Sequence, residues 1–82
     1  MPTIRGLPGP FRLYFYSSDC AEPMHVHARR GDGECKFWLD PLELAFAVGL
    51  TRAELREARN TILENRLAIV EAWHEHCRSK QS

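Results

Sequence analysis

The residues best suited to chemistry are His25 and His27, within the stretch EPMHVHARRGDGECKFW at residues 22–38. On an extended strand both imidazoles project from the same side, roughly 6–7 Å apart along the chain, so both can reach one metal ion. Glu22 and Asp40 are the nearest candidates for a third ligand. The spacing is nevertheless what any alternating strand produces, and two histidines without a motif-grade partner fall short of a metal signature. On the residues alone, no metal or cofactor is expected. A second cluster, HEHC at residues 74–77, offers His74 and Cys77 three apart on one helix face, while His76 diverges from His74. A helix-terminal cation is an equally good account of those histidines.

Acid–base chemistry is the other use for the pair. His25 and His27, with Tyr14, Arg12 or Lys36 beside them, have the groups for metal-independent RNA cleavage, one taking the 2′-OH proton and the other protonating the leaving oxygen. No nucleophile elbow, phosphate-binding glycine loop or zinc signature accompanies them. The plainer account is that each imidazole hydrogen-bonds across a hairpin, and the chain is read as leaning away from an enzyme.

The elements that must position these residues follow from periodicity. FRLYFYSS alternates, with Phe11, Leu13 and Phe15 opposite Arg12, Tyr14 and Tyr16. Met24, Val26 and Ala28 alternate with His25, His27 and Arg29, and Cys35, Phe37 and Leu39 with Glu34, Lys36 and Trp38. Three strands are expected, at about residues 11–17, 24–30 and 34–39, with a further short edge strand at Thr3–Arg5. RGDG supplies the hairpin turn. Asp32-Gly33 as the turn sets Arg29 opposite Lys36; Gly31-Asp32 sets Arg29 opposite Glu34. Both registers keep the same residues on the same face. DPLELAFAVG then reads as a short helix over 41–48, with Asp40 as cap, Pro41 at the first position, Glu43 closing a capping box and Gly49 ending it. Thr51 and Glu54 repeat the capping pattern ahead of one long amphipathic helix over 52–77, striped by Leu55, Ala58, Ile62, Ile69 and Trp73 and widened by Leu63, Leu67 and Val70. The expected fold is α+β: a three-stranded antiparallel meander with both helices packed on one face.

Eighty-two residues make one domain, 1–82, with a polar tail at 78–82. Eleven basic residues balance eleven acidic ones, which removes the electrostatic ground for general nucleic-acid binding. No apolar run is long enough for a membrane span, and no apolar leader opens the chain. Three widely spaced cysteines, Cys20, Cys35 and Cys77, are an odd number and a poor disulfide framework. A reducing cytoplasm is the expected compartment.

With helices only after the strands, the second sheet face is expected to stay uncovered. It gathers Arg12, Tyr14, Tyr16, His25, His27, Arg29, Lys36 and Trp38, an aromatic and basic set that suits a contact surface. Packing of those rings on one another and on the N-terminal segment is the simpler alternative. The leading expectation is a protein-interaction module, binding a partner protein or a second copy through this face. The alternatives are an RNA-acting toxin using His25 and His27, and a small metal-binding module.

Several stretches resemble one family: MPTI at 1–4, FYSSD at 15–19, EPMHVH at 22–27, KFWLDP at 36–41, EN at 64–65 and EAWHE at 71–75. Together they are similar to the small bacterial proteins of domain of unknown function family 4160. Members usually carry a Pro-Pro-His-x-His segment, and here Met24 stands at the second proline. The resemblance aligns the family's His pair with His25 and His27, its later Trp with Trp73 and its Glu-Asn with Glu64 and Asn65. It implies a compact α+β protein, often encoded beside a second small protein in pairs suggested to be toxin–antitoxin-like. It implies no substrate, cofactor or catalytic residue. Asn65, a poor helix former in mid-helix, is expected to hydrogen-bond to the sheet or the first turn.

Overall fold

The computed structural model describes Ile4 and residues 9–81, with side chains described through Arg78. Four antiparallel strands, β1 (Arg12–Tyr14), β2 (His25–Arg30), β3 (Gly33–Leu39) and β4 (Leu42–Val48), pair in chain order. Helices α1 (Arg52–Glu64) and α2 (Arg66–Gln81) follow. The architecture is α+β as expected, and the buried face is the one alternation selects. Phe11, Leu13, Phe15, Val26, Ala28, Cys35, Phe37 and Leu39 form a core with Ala58, Ile62, Ile69 and Trp73 of the helices. No helix among the described residues is long and apolar enough to cross a membrane. The expected edge strand at Thr3–Arg5 lies outside the described residues except for Ile4, whose N–H donates to Leu13 O at 2.8 Å.

The hairpin adopts the register that pairs Arg29 with Glu34 and Arg30 with Gly33, leaving Gly31-Asp32 as the turn. Gly31 has φ +59°, the left-handed conformation a two-residue hairpin needs. The ion pair between Arg29 and Glu34 at 3.6 Å is the cross-strand match this register makes.

Two expectations are corrected. Residues 41–48 are not a helix: Leu42–Val48 is the fourth strand, paired with β3 from Leu39↔Leu42 to Glu34↔Val48. Seven residues are too few for a self-supporting helix, and short apolar runs carry no periodicity that separates helix from strand. The open edge of β3 decides, because its backbone groups need partners. A bulge interrupts the pairing: Lys36 faces Phe46 and Phe37 faces Leu44, so Ala45 is the extra residue. Phe46 and Val48 thereby fall on the side of Lys36 and Glu34, and Leu44 on the side of Phe37.

The long helix over 52–77 is two helices. It opens as read, with Thr51 Oγ1 accepting from Glu54 N–H and Glu54 Oε1 accepting from Thr51 N–H. It breaks at Asn65, whose side-chain amide donates to Thr61 O at 2.8 Å, within its own helix rather than to the sheet. Arg66 Nε and Nη2 both donate to Leu39 O, at 3.1 and 2.8 Å, pinning the start of α2 to the end of β3. The break leaves Leu63 and Leu67, read as widening the apolar stripe, 50% and 81% exposed.

The cysteine reading is also corrected. Cys20 and Cys77 form a disulfide across 57 residues of sequence, and Cys35 is the free, buried thiol. An odd count left one cysteine over; it did not prevent the other two from meeting.

Candidate metal centre

The expected open face is partly closed. Tyr14, His25 and His27 are buried, Lys36 and Trp38 half-buried, and Arg12, Tyr16 and Arg29 exposed. The segment after β1 folds over the end of the sheet as a single 3₁₀ turn, Asp19–Ala21, and seats a buried Asp19 against the histidines. This turn is built by Asp19 itself. Its N–H donates to Tyr16 O at 3.1 Å, and its Oδ2 accepts from Tyr16 N–H at 2.7 Å. Aspartate favours such turns because its short carboxylate can bond nearby backbone.

β2 brings the imidazoles to the same place. His25 pairs with Trp38, His27 with Lys36 and Tyr14, so the ladder sets both Cα positions. His25 Nε2 lies 3.1 Å from Asp19 Oδ2, and His27 Nε2 lies 3.2 Å from that same oxygen. One potential ligand atom from each of the three residues lies within 4.8 Å of the others. His25 Nδ1 stands 2.9 Å from Pro23 O. A carbonyl only accepts, so Nδ1 carries a proton and Nε2 is the ring nitrogen turned toward Asp19. The short distances to Asp19 are not aligned hydrogen bonds: His25 Nε2, His27 Nδ1 and His27 Nε2 are buried with no hydrogen-bond partner. Such orphaned buried nitrogens are costly and call for an explanation.

The surroundings are aromatic. Tyr14 stacks on His27 at 5.2 Å and 15°, Tyr16 meets it edge-on at 4.7 Å, and Trp38 and Trp73 flank His25 at 5.5 and 5.1 Å. Burial raises the Tyr14 phenol, with hydrogen bonds to Tyr16 and Glu34 adding to the shift. Burial also pulls His27 below its ordinary value; the Asp19 carboxylate opposes this, while His25 and Lys36 reinforce it.

A folded value below the unfolded one makes stability depend on pH in a fixed direction. The unfolded chain binds the His27 proton more readily, so the neutral ring's contribution is full above the ordinary value of 6.5 and is lost as pH falls below it. The metal-free protein is therefore expected to lose urea resistance between about pH 7 and pH 5, and His27→Gln to flatten that dependence. A native profile already flat over this range contradicts the burial account.

The third ligands suggested by sequence lie elsewhere. Glu22 accepts from Lys36 Nζ at 2.6 Å, and Asp40 is three-quarters exposed, 3.7 Å from Arg66. The helix-end pair does not form a site either, since Cys77 is in the disulfide and His74 is exposed. His76 Nε2 contacts Tyr16 O at 3.1 Å. Asp19 is the residue the sequence reading missed. Its signals were its place in FYSSD, one of the stretches that carry the family resemblance, and its position six residues before His25.

Two imidazole nitrogens and one carboxylate oxygen form a donor set for a divalent transition metal, zinc among them. At bond lengths of about 2.0–2.1 Å, neighbouring ligands around tetrahedral or octahedral ions are about 2.9–3.4 Å apart. Both nitrogen–oxygen separations fall in that range. The His25 Nδ1–H bond to Pro23 O fixes the tautomer in the way metal-bound histidines are usually held. Burial pushes the Cys35 thiol up to about 11, which disfavours a competing thiolate there.

Comparison with curated proteins and with solved structures returns no significant match for the chain. Residues 11–74 match the family described as Domain of unknown function (DUF4160), a span that includes Asp19, His25, His27 and Trp73. With more than half of its length matched, the chain belongs to that family.

Proposed function

We propose that this is a small metal-binding domain, holding one divalent transition-metal ion between Asp19, His25 and His27. The observation that carries the reading is the buried His25 Nε2, 3.1 Å from a carboxylate oxygen and with no hydrogen-bond partner. A cation relieves that arrangement, since it accepts electron density from all three groups at once. The test is a zinc titration of tag-free, chelator-treated protein by calorimetry. One equivalent bound with protein-like affinity is the expected result, and no binding above that of a scrambled peptide of equal composition rejects the reading. RNA cleavage by the same histidines gains less support, because both rings are buried away from a polynucleotide backbone.

A second reading, self-association, is favoured by a different surface from the sheet face first considered. β4 is an edge strand with Leu44, Phe46 and Val48 at 47%, 43% and 56% exposure. Phe46 and Val48 share one side, so antiparallel pairing of two copies about Ala47 sets Phe46 of each chain opposite Val48 of the other. Glu43, the strand's one charge, lies outside that pairing. Exposed apolar cross-strand pairs without like charges opposed suit strand addition. Phe46→Lys is expected to shift a concentration-dependent dimer to monomer in sedimentation equilibrium. A native chain that stays monomeric at millimolar concentration removes this reading.

A further inference from the structure

We infer that the Cys20–Cys77 disulfide is the positioning element for Asp19, so that metal affinity at the Asp19–His25–His27 centre depends on the oxidation state of this cysteine pair. The inference rests on the metal-binding reading above. Its basis is the different way in which the three ligands are held. His25 and His27 sit in the β2 ladder, paired on one or both sides, and no sulfur bond is needed to place them. Asp19 sits on a single 3₁₀ turn of three residues, flanked by exposed Ser17 and Ser18 before it and by exposed Ala21, Glu22 and Pro23 at its end and beyond. So short a turn has little stability of its own.

The crosslink ties that turn to the helix layer at the ligand itself. Cys20 follows Asp19 directly, and its sulfur is bonded to Cys77 of α2. Cys77 lies one turn beyond Trp73, whose ring packs 5.4 Å from Phe15 and 5.1 Å from His25. Between them His76 contacts Tyr16 O, and Tyr16 N–H donates to the Asp19 carboxylate. Asp19 is thus enclosed in a loop of contacts running from α2 through the disulfide to the turn and back through Tyr16. Opening the sulfur bond removes the covalent segment of that loop and leaves the histidine ladder intact. Both cysteines are half-buried, so a small reductant can reach them.

A water-soluble phosphine performs the reaction without offering zinc a thiol. Phosphorus attacks one sulfur and the S–S bond breaks. The departing thiolate takes a proton, and water hydrolyses the thiophosphonium to phosphine oxide and the second thiol. Two electrons pass from phosphorus to the sulfur pair.

The experiment is a four-cornered zinc competition against a chromophoric chelator: native chain and Asp19→Asn, each oxidised and phosphine-reduced. In the native chain reduction is expected to weaken zinc binding about tenfold or more, the scale typical of groups that orient a metal ligand. In Asp19→Asn reduction is expected to change nothing, since the group it acts through is gone. Equal weakening in both chains overturns the inference, as does unchanged or tighter binding by the reduced native chain. Tighter binding would signal recruitment of the freed Cys20. Failure of the oxidised native chain to bind zinc rejects the metal reading itself, and this inference with it. A reciprocal arm needs only the folded, oxidised protein. By holding the Asp19 turn closed against local opening, zinc is expected to slow phosphine reduction of the native disulfide about fivefold or more and to leave that of Asp19→Asn unaffected, and equal protection of the two overturns the inference.

Discussion

Asp19→Asn is expected to weaken zinc binding by on the order of 100-fold or more, with the fold unchanged. The substitution removes the one carboxylate of the proposed site but keeps a side-chain oxygen in place to accept from Tyr16 N–H, so the turn that carries residue 19 persists. His25→Ala and His27→Ala should be as severe, but each also opens a hole among Tyr14, Trp38 and Trp73. Asparagine at 19 is therefore the cleaner probe. Glu22→Gln and Asp40→Asn serve as controls, since Glu22 is engaged with Lys36 and Asp40 lies exposed beside Arg66. Calorimetric titration of the three variants checks this. Loss of affinity in either control comparable to that in Asp19→Asn would place the ion elsewhere.

The second large effect is on stability. Cys77→Ser is expected to cost about 4 kcal/mol, the chain-entropy value for a loop of this size. The crosslink closes 57 residues, which include β2, β3, β4 and α1. For an 82-residue domain of modest core, that is a large share of the total. Urea denaturation of native and Cys77→Ser protein at neutral pH measures it. A difference below about 1 kcal/mol would mean that the unfolded chain already keeps these segments together.

The fold was legible in the sequence wherever a period was long enough to read. Phe11, Leu13 and Phe15 against Arg12 and Tyr14 gave β1 its inward face, and the same alternation placed Val26, Ala28, Cys35 and Phe37 in the core. The Thr51–Glu54 capping box fixed the start of α1. What escaped was decided by tertiary contacts. The Leu42–Val48 segment carried helix-cap residues, yet became a strand because β3 had an open edge to fill. Asn65 marked a break only because Arg66 anchors the next helix to Leu39 O. The candidate site divides in the same manner. Its histidines shared a face by strand period, which the sequence showed. Asp19 reaches them because a turn folds back over the sheet end and is tied to α2 by sulfur, and neither closure leaves a periodic trace.

Burial of the two imidazoles also redirects the first functional expectation. A sheet face with Tyr14, His25 and His27 withdrawn leaves Arg12, Tyr16, Arg29, Phe46 and Val48 exposed, with Lys36 and Trp38 half-buried. Its aromatic rings pack mainly on one another and around the buried nitrogens.

The most direct measurement of the central claim is zinc X-ray absorption on the one-equivalent complex. The structure predicts a first shell of two imidazole nitrogens with oxygen completing it and no sulfur. A shell with one imidazole or none, or with a sulfur ligand, would contradict coordination by Asp19, His25 and His27.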